Sequence, residues 1–241
     1  MSERPLVFLH GWAQSRQVWW QQQACFPDAM FLNLPGHGGA ADVAADAWVD
    51  ALAAQLPDAA CSLVGWSLGG MLAMALAERV PDKVANLALI ATTPRFRVGD
   101  GWLYGCDDAV FTAFAEAAAS ASLKTLNRFF ALMLHGDGLS RTAYNELARM
   151  AVDREQRTSA AGLAEGMALL AGLDFRHALP QQPVLIVHGE QDAIVPVAAG
   201  RWLAEQMNSR DAFFPHSCGH APFLTRADEF NTLLKRWWQQ S

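Results

Sequence analysis

Residues 65–70 read Gly65-Trp66-Ser67-Leu68-Gly69-Gly70, and this segment is the strongest indication of the fold. It follows the apolar run Cys61–Gly65, which predicts a buried strand, and leads into Leu68–Arg79, which predicts a helix. The glycines on either side of Ser67 remove side chains that would clash in a tight turn. A serine at such a strand–turn–helix junction indicates a nucleophile, because free N–H groups at a helix start stabilise negative charge. The alternative is a plain glycine-rich turn before a helix.

Short apolar runs on both sides of this segment alternate with helical ones. The predicted strands are Leu6–Leu9, Met30–Leu34, Cys61–Gly65, Leu87–Ala91, Pro183–Val187 and Ala212–Pro215. The helices predicted among them are Trp48–Leu56, Leu68–Arg79, Val197–Met207 and Phe223–Trp238. Such an alternation predicts an α/β fold, with a mostly parallel sheet of about six strands that helices cover on both faces.

A long region without strand-like runs interrupts this pattern between about Pro94 and Leu173. It contains four helix-like segments, Phe111–Ala121, Leu123–Leu134, Arg141–Val152 and Ala160–Ala171. We interpret the region as a helical cap, or lid, inserted into one sheet domain. The expected division is a core of residues 1–94 and 174–241 and a cap of residues 95–173.

Composition excludes several classes of protein. The chain has 241 residues, 52% of them hydrophobic, which is enough for a substantial core, and no apolar run reaches the roughly 20 residues of a membrane span. The net charge of −6 argues against a nucleic-acid binder, and the four cysteines have no metal-like or paired spacing. The N-terminal residues lack the pattern of a signal peptide. We therefore expect a soluble, cytoplasmic monomer with reduced thiols.

A serine hydroxyl needs a base to accept its proton, and a base needs a group that orients it. His220 lies in a loop just after the last predicted strand, and Asp192 follows the strand before that one. Both positions fall at the C-terminal edge of a parallel sheet, where Ser67 also lies. We therefore predict His220 as the base and Asp192 as the acid, with His216 and Glu190 as the alternatives for these roles.

An oxyanion hole would complete such a site with two backbone N–H groups. Leu68, directly after the serine, would supply one of them, and Trp12 in the loop His10-Gly11-Trp12 would supply the other. For His10-Gly11 taken alone, a plain turn at a strand end is the simpler interpretation. The sequence shows no metal-ligand cluster, and the predicted chemistry requires neither a metal nor an organic cofactor.

Five segments together resemble the α/β-hydrolases, in their order and spacing along nearly the whole chain. The similarity is greatest to the carboxylesterases that cleave pimeloyl-[acyl-carrier protein] methyl ester in biotin synthesis. The resemblance implies release of methanol from an ester carried by acyl-carrier protein, with the triad in the order Ser, Asp, His. The segments are His10–Trp12, Leu34–Gly38, Gly65–Gly70, His188–Pro196 and Gly219–Phe223, and Arg128–Met133 resembles a cap segment of the same enzymes.

Some positions depart from the pattern of these carboxylesterases. Asn33 replaces an aspartate that many relatives carry before the Leu-Pro-Gly turn, and Ala40 replaces a serine. Both lie away from the predicted chemistry. Met133 replaces the glutamine of the cap segment and would alter the acyl pocket.

A carrier-bound ester needs an apolar tunnel for its chain. Aromatic and aliphatic side chains of the core and the cap would line it, although each of them alone is better explained as core. The tunnel candidates are Trp12, Trp66, Phe129, Phe130 and Leu132. The full substrate-binding set that the resemblance implies is Trp12, Ser67, Leu68, Phe129, Phe130, Ala131, Leu132, Met133 and His220.

An acidic carrier protein needs a basic surface. Residues 124–157 hold six basic and four acidic side chains, a local excess of positive charge on an acidic protein. Lys124, Arg128 and Arg141 bracket the aromatic cap segment and are the predicted docking residues. The alternative is that they form only the solvated face of the cap.

Two other functions fit the same motifs. One is a general short-chain carboxylesterase with the same triad, since a fold alone does not determine the chemistry. The other is a ligand-binding member of the fold without catalysis, which the complete set of predicted triad and oxyanion residues disfavours.

Overall fold

The computed structural model describes residues 4–119, 123–152, 158–209 and 211–240. Within them the chain forms a six-stranded sheet in which each neighbouring pair is parallel, in the order β2-β1-β3-β4-β5-β6. The strands are Leu6–Leu9 (β1), Met30–Leu32 (β2), Cys61–Trp66 (β3), Val84–Ile90 (β4), Val184–Val187 (β5) and Asp211–Phe213 (β6). The predicted α/β fold with about six parallel strands is thereby confirmed.

The largest difference in the strands is at β4, which begins three residues before the predicted Leu87. Asn86 interrupts the apolar run in the sequence, yet it is buried and its amide donates a hydrogen bond to Ser62 Oγ at 3.2 Å. Because a polar residue with a buried partner pairs as well as an apolar one, the hydrophobic pattern underestimates this strand.

Among the described residues, six α-helices belong to the part of the chain that surrounds the sheet. Trp20–Cys25 (α1) is one that the sequence analysis did not predict, and the last predicted helix is broken at Arg226 into two. The other five are Trp48–Ala53 (α2), Leu68–Arg79 (α3), Val197–Gln206 (α8), Pro222–Thr225 (α9) and Ala227–Gln240 (α10). Among the described residues, no helix is both long and apolar enough to cross a membrane.

In the described part of the inserted region the chain forms four α-helices, whose bounds lie within three residues of the predicted ones. They are Asp108–Ala119 (α4), Leu123–Met133 (α5), Arg141–Ala151 (α6) and Ala160–Gly172 (α7). The chain enters and leaves this region side by side, because Arg95 and Asp174 form an antiparallel bridge and an ion pair at 3.2 Å. The pairing of these two segments supports our proposal that residues 95–173 form a cap on a core of residues 1–94 and 174–241.

Candidate active site

Ser67 lies at a strained turn between β3 and α3. Its backbone angles, φ of 55° and ψ of −119°, lie in a region that residues other than glycine rarely adopt. Two hydrogen bonds hold the backbone there, from Ser67 N to Ile90 O at 2.9 Å and from Thr92 Oγ1 to Ser67 O at 2.7 Å. A Cβ on Gly65 would collide with Gly69 O, so the turn requires glycine there. The serine is 9% exposed and faces a cavity.

His220 and Asp192 lie against each other in the interior, and both side chains are 0% exposed. His220 Nδ1 is 2.7 Å from Asp192 Oδ2, and the second carboxylate oxygen accepts hydrogen bonds from Ile194 N and Val195 N. Burial alone would raise the pKa of Asp192, but His220 and the hydrogen bonds outweigh it and hold that pKa well below its usual range. Among the described residues, His220 Nε2 has no hydrogen-bond partner.

The loop after β1 approaches the serine closely. A Cβ on Gly11 would stand 3.2 Å from Ser67 Cβ, so a side chain there would crowd the nucleophile. This loop carries Trp12, and Leu68 is the first residue of α3, whose N–H has no partner within its own helix. The two predicted oxyanion residues thus flank Ser67, and their role remains a proposal.

Two buried histidines fix this loop to the next one. His10 Nε2 accepts from Leu34 N at 3.0 Å, and His37 Nε2 accepts from Ala13 N at 3.2 Å. In each ring Nδ1 lies 2.8 Å from a backbone carbonyl oxygen, of Gly11 and Pro35 respectively. Burial lowers the pKa of His10 to about 3 and that of His37 to about 4, so both are neutral near pH 7. The sequence analysis gave these rings no such role.

An apolar cavity of about 80 Å³ lies over Ser67. Val110 and Leu132, which are 61% and 42% exposed, lie at its opening to solvent. Inside, the rings of Trp12, Phe114 and Phe129 contact one another with centroids 4.9 to 5.2 Å apart. The residues that line the cavity are Trp12, Ser67, Phe96, Cys106, Val110, Phe114, Phe129, Leu132, Leu170, Ala193 and Ile194.

Several predicted substrate-binding residues do not line this cavity. Phe130 packs against Tyr144 of α6, Ala131 lies on the exposed face of α5, and Met133 is buried with its carbonyl bonded to His220 N at 2.8 Å. Trp66 lies in the core and donates from Nε1 to His220 O at 2.8 Å. Successive residues of a helix point in different directions, and within residues 129–133 only Phe129 and Leu132 line the cavity, so a substrate-binding role for the others stays a prediction.

The predicted docking residues lie on the cap helices. Arg128 and Arg141 are exposed, in α5 and at the start of α6, and neither forms an ion pair within the described part of the chain. The backbone of Lys124 belongs to α5, while its side chain is outside the described residues. Arg154 and Arg157 of the basic segment are also outside them.

The alternative base and acid lie at the surface. His216 is 87% exposed and contacts Glu190, which also pairs with Arg201 at 2.7 Å. None of these three side chains lines the cavity over Ser67. Across the described ranges no group of His, Cys, Asp and Glu could hold a metal ion, and all four cysteines are free.

The sequence analysis assigned no role to three side chains near the site. His188 contacts Asp192 from the end of β5, Asp137 accepts from Gly219 N at 3.1 Å, and Phe114 lines the cavity. Burial raises the pKa of Asp137. Only Phe114 had a usable pattern, since it follows Phe111 by three residues on a predicted helix.

The comparisons with known proteins agree with this geometry. A family model described as alpha/beta hydrolase fold matches residues 4–227. The pimeloyl-[acyl-carrier protein] methyl ester esterase of Aromatoleum aromaticum is 41% identical, with 98% of each chain covered. That of Nitrosomonas europaea is 38% identical, covering 93% of this chain and 92% of the relative. The solved structure of an esterase from Exiguobacterium antarcticum superposes with a TM-score of 0.81 at 21% identity, covering 98% of this chain and 92% of its own.

Proposed function

The chain belongs to the α/β-hydrolase fold family and, within it, to the pimeloyl-[acyl-carrier protein] methyl ester esterases, and we propose that it hydrolyses that ester. One observation carries the proposal. The buried Asp192–His220 pair packs against Trp66, whose ring centroid is 5.5 Å from that of His220 and which directly precedes the strained Ser67 below an apolar cavity, and an ester-cleaving serine requires such a pair beside it. The proposed reaction releases methanol and leaves a free carboxylate on the carrier-bound acyl chain.

In the proposed mechanism, Ser67 Oγ attacks the ester carbonyl carbon while His220 Nε2 takes the hydroxyl proton. Backbone N–H groups of Trp12 and Leu68 stabilise the oxyanion that forms. The bond to the methoxy group then breaks, and His220 returns the proton to the departing methanol. Water attacks the acyl-serine with His220 again as base, which releases the acid and restores Ser67. Asp192 orients the His220 ring and stabilises its protonated form.

The position of the ester in this substrate favours an open channel. The methyl ester is at the end of the acyl chain that is distant from the carrier, so the chain must extend from Ser67 to the surface. The opening beside Val110 and Leu132 offers an apolar path between α4 and α5. Acyl-carrier protein would then dock outside this opening, with Lys124, Arg128 and Arg141 as its proposed contacts.

The small volume of the cavity favours a second candidate, a general short-chain carboxylesterase.

Methanol release from the carrier-bound methyl ester tests the proposal. The purified protein and Ser67→Ala would each be compared on that ester, on free dimethyl pimelate and on p-nitrophenyl acetate. We expect Ser67-dependent turnover with the highest kcat/KM on the carrier-bound ester, and a loss of about 10⁶-fold in kcat in Ser67→Ala. Turnover of the two small esters alone would identify the short-chain carboxylesterase instead. No turnover, together with no labelling of Ser67 by a phosphonate, would identify the non-catalytic alternative.

A further inference from the structure

His188 is a second histidine on the carboxylate that the proposed base uses. It follows β5 directly, and its side chain is 1% exposed. Its Nε2 lies 3.1 Å from Asp192 Oδ2 and 2.9 Å from Val195 O. The same Oδ2 receives His220 Nδ1 at 2.7 Å. One carboxylate oxygen therefore lies between two imidazole rings.

The surroundings of His188 determine which of its nitrogens carries the proton. Both neighbours of Nε2 are acceptors, so Nε2 is the donor. Nδ1 is buried without a hydrogen-bond partner among the described residues, and Gly200 of α8 closes that side, since a Cβ on Gly200 would collide with Nδ1. The N–H on Nε2 therefore lies between Val195 O and Asp192 Oδ2, and the ring has no acceptor within the described residues for a proton on its other nitrogen.

We propose that His188 is a positioning residue, which fixes the carboxylate of Asp192 and moderates its charge toward His220. The inference rests on the proposed function, because it needs His220 as the base. Within the described residues, Asp192 accepts hydrogen bonds from Ile194 N, Val195 N and His220 Nδ1, and His188 Nε2 contacts its Oδ2 at 3.1 Å. The donors on Oδ1 come from its own loop, whereas His188 opposes His220 on Oδ2. Without His188, the carboxylate can rotate and more of its charge acts on His220.

Other charged groups near this pair contact different atoms. Asp137, on the segment after α5, accepts from Gly219 N and from Thr225 Oγ1 at 2.6 Å. The thiol of Cys218 lies beside Thr225, 3.7 Å from its hydroxyl, and burial raises its pKa to about 12. Glu190 is paired with Arg201 and His216 at the surface. Within the described residues, His188 and His220 are thus the titratable side chains that contact Asp192.

Two effects follow from the loss of the His188 donor. A hydrogen-bond donor beside the charged carboxylate of Asp192 stabilises the arrangement that the transition state needs, and we expect its removal to lower kcat about tenfold. A carboxylate with one donor fewer also stabilises protonated His220 more strongly, and His220 must be unprotonated to act as base. The acidic limb of the kcat/KM profile, which reports that protonation, therefore moves to higher pH.

Three substitutions separate donation from packing. His188→Gln keeps an N–H donor at a similar reach, His188→Met has the length of glutamine without a donor, and His188→Phe keeps a ring without a donor. We expect Gln to retain most of kcat and the position of the acidic limb. We expect Met and Phe to lose about tenfold in kcat, with the limb at higher pH. The profiles would be measured with p-nitrophenyl acetate, and thermal unfolding would show that each variant is folded.

Two results would overturn the proposal. One is an unchanged kcat and pH profile in both Met and Phe. The other is an equal loss in all three variants with the acidic limb unmoved, since that result means packing alone. The substrate keeps this test distinct from the proposed function. Ser67-dependent cleavage of p-nitrophenyl acetate with no cleavage of the carrier-bound ester would refute the proposed substrate, while the His188 comparison could still be made.

Discussion

The core and the cap hold their functional side chains by different kinds of contact. In the core, Asp192 accepts three hydrogen bonds among the described residues and contacts His188, and His10 and His37 connect neighbouring loops through backbone groups. In the cap, Phe114 and Phe129 reach the cavity and are held by ring contacts with each other and with Trp12. Directed hydrogen bonds specify one geometry, whereas apolar contacts tolerate rearrangement. On this basis we propose that the core determines the chemistry and that the proposed cap adapts to the acyl chain.

The two regions meet beside the proposed base. Met133 O, at the end of α5, accepts from His220 N at 2.8 Å, and Asp137 accepts from Gly219 N. A third hydrogen bond has its donor in the core and its acceptor in the cap, from Trp12 Nε1 to Leu163 O of α7 at 2.9 Å. The helix α5, which contributes Phe129, therefore ends in contact with the loop of His220. A shift of α5 would move the backbone of His220 with it.

The largest expected effect is the acid sensitivity of the core loops. Folding lowers the pKa of His10 and His37, so the unfolded chain binds more protons than the folded chain below pH 6.5. The free energy of unfolding therefore decreases as the pH decreases. Their contribution is complete above pH 6.5 and is lost on approach to pH 4 and then 3. Each ring should lower the free energy of unfolding by about 2 kcal/mol between pH 6.5 and pH 5. Urea unfolding at pH 7 and pH 5 measures the loss.

Other groups set the controls for this measurement. The lowered pKa of Asp192 acts only below the usual carboxyl range, and the raised pKa of Asp137 opposes the loss because its protonation favours the folded chain. His37→Gln should halve the dependence on pH, and His177→Asn, at an exposed site, should leave it unchanged. Equal unfolding free energies at the two pH values would mean that the core loops do not depend on neutral histidines.

Much of the core followed from the sequence because its signals are local. An apolar run of four or five residues predicts a strand wherever the run lies, and the glycines around Ser67 predict the turn. The helix α1 was missed because Trp20–Cys25 is short and its three glutamines give no apolar period. The contact of His188 with Asp192 was not predictable, since it depends on the close packing of Gly200 against the ring.

The cap was predictable in its helices but not in the orientation of their residues. The sequence supplied Phe129 and Phe130 with equal weight, yet Phe129 contacts Trp12 and Phe130 contacts Tyr144. The rotation of α5 about its axis decides between them, and tertiary packing sets that rotation. A run of adjacent apolar residues therefore predicts a buried helix without showing which residue reaches the cavity.

These neighbouring phenylalanines give the next largest expected effect, on substrate use. Both are buried, so Phe129→Leu and Phe130→Leu should lower the thermal unfolding midpoint by similar amounts. Phe129→Leu should also lower kcat/KM for the carrier-bound ester about tenfold, because it removes a ring from the acyl path. Phe130→Leu should change it less than twofold. Equal losses of kcat/KM in the two variants would mean that the cap acts only by holding the fold together.

The smallest expected effect concerns the outer face of the cap. Arg128 lies one helical turn before Leu132, on the same side of α5 as the cavity opening, and no ion pair within the described residues occupies it. Arg128→Glu should raise KM for the carrier-bound ester about fivefold, because an exposed charge contributes about 1 kcal/mol to docking. Turnover of p-nitrophenyl acetate should not change, since that ester needs no docking.

Arg236→Glu supplies the matched control, because Arg236 is also exposed but lies on α10 of the core. Both substitutions change the net charge by the same amount, so a general electrostatic effect would raise KM in both. A docking surface on the cap would raise KM only in Arg128→Glu, and added salt would reduce the difference by screening it. If KM stayed constant in both variants, Arg128 would be part of a solvated helix face, and selectivity for the carrier-bound ester would have to arise at the apolar opening alone.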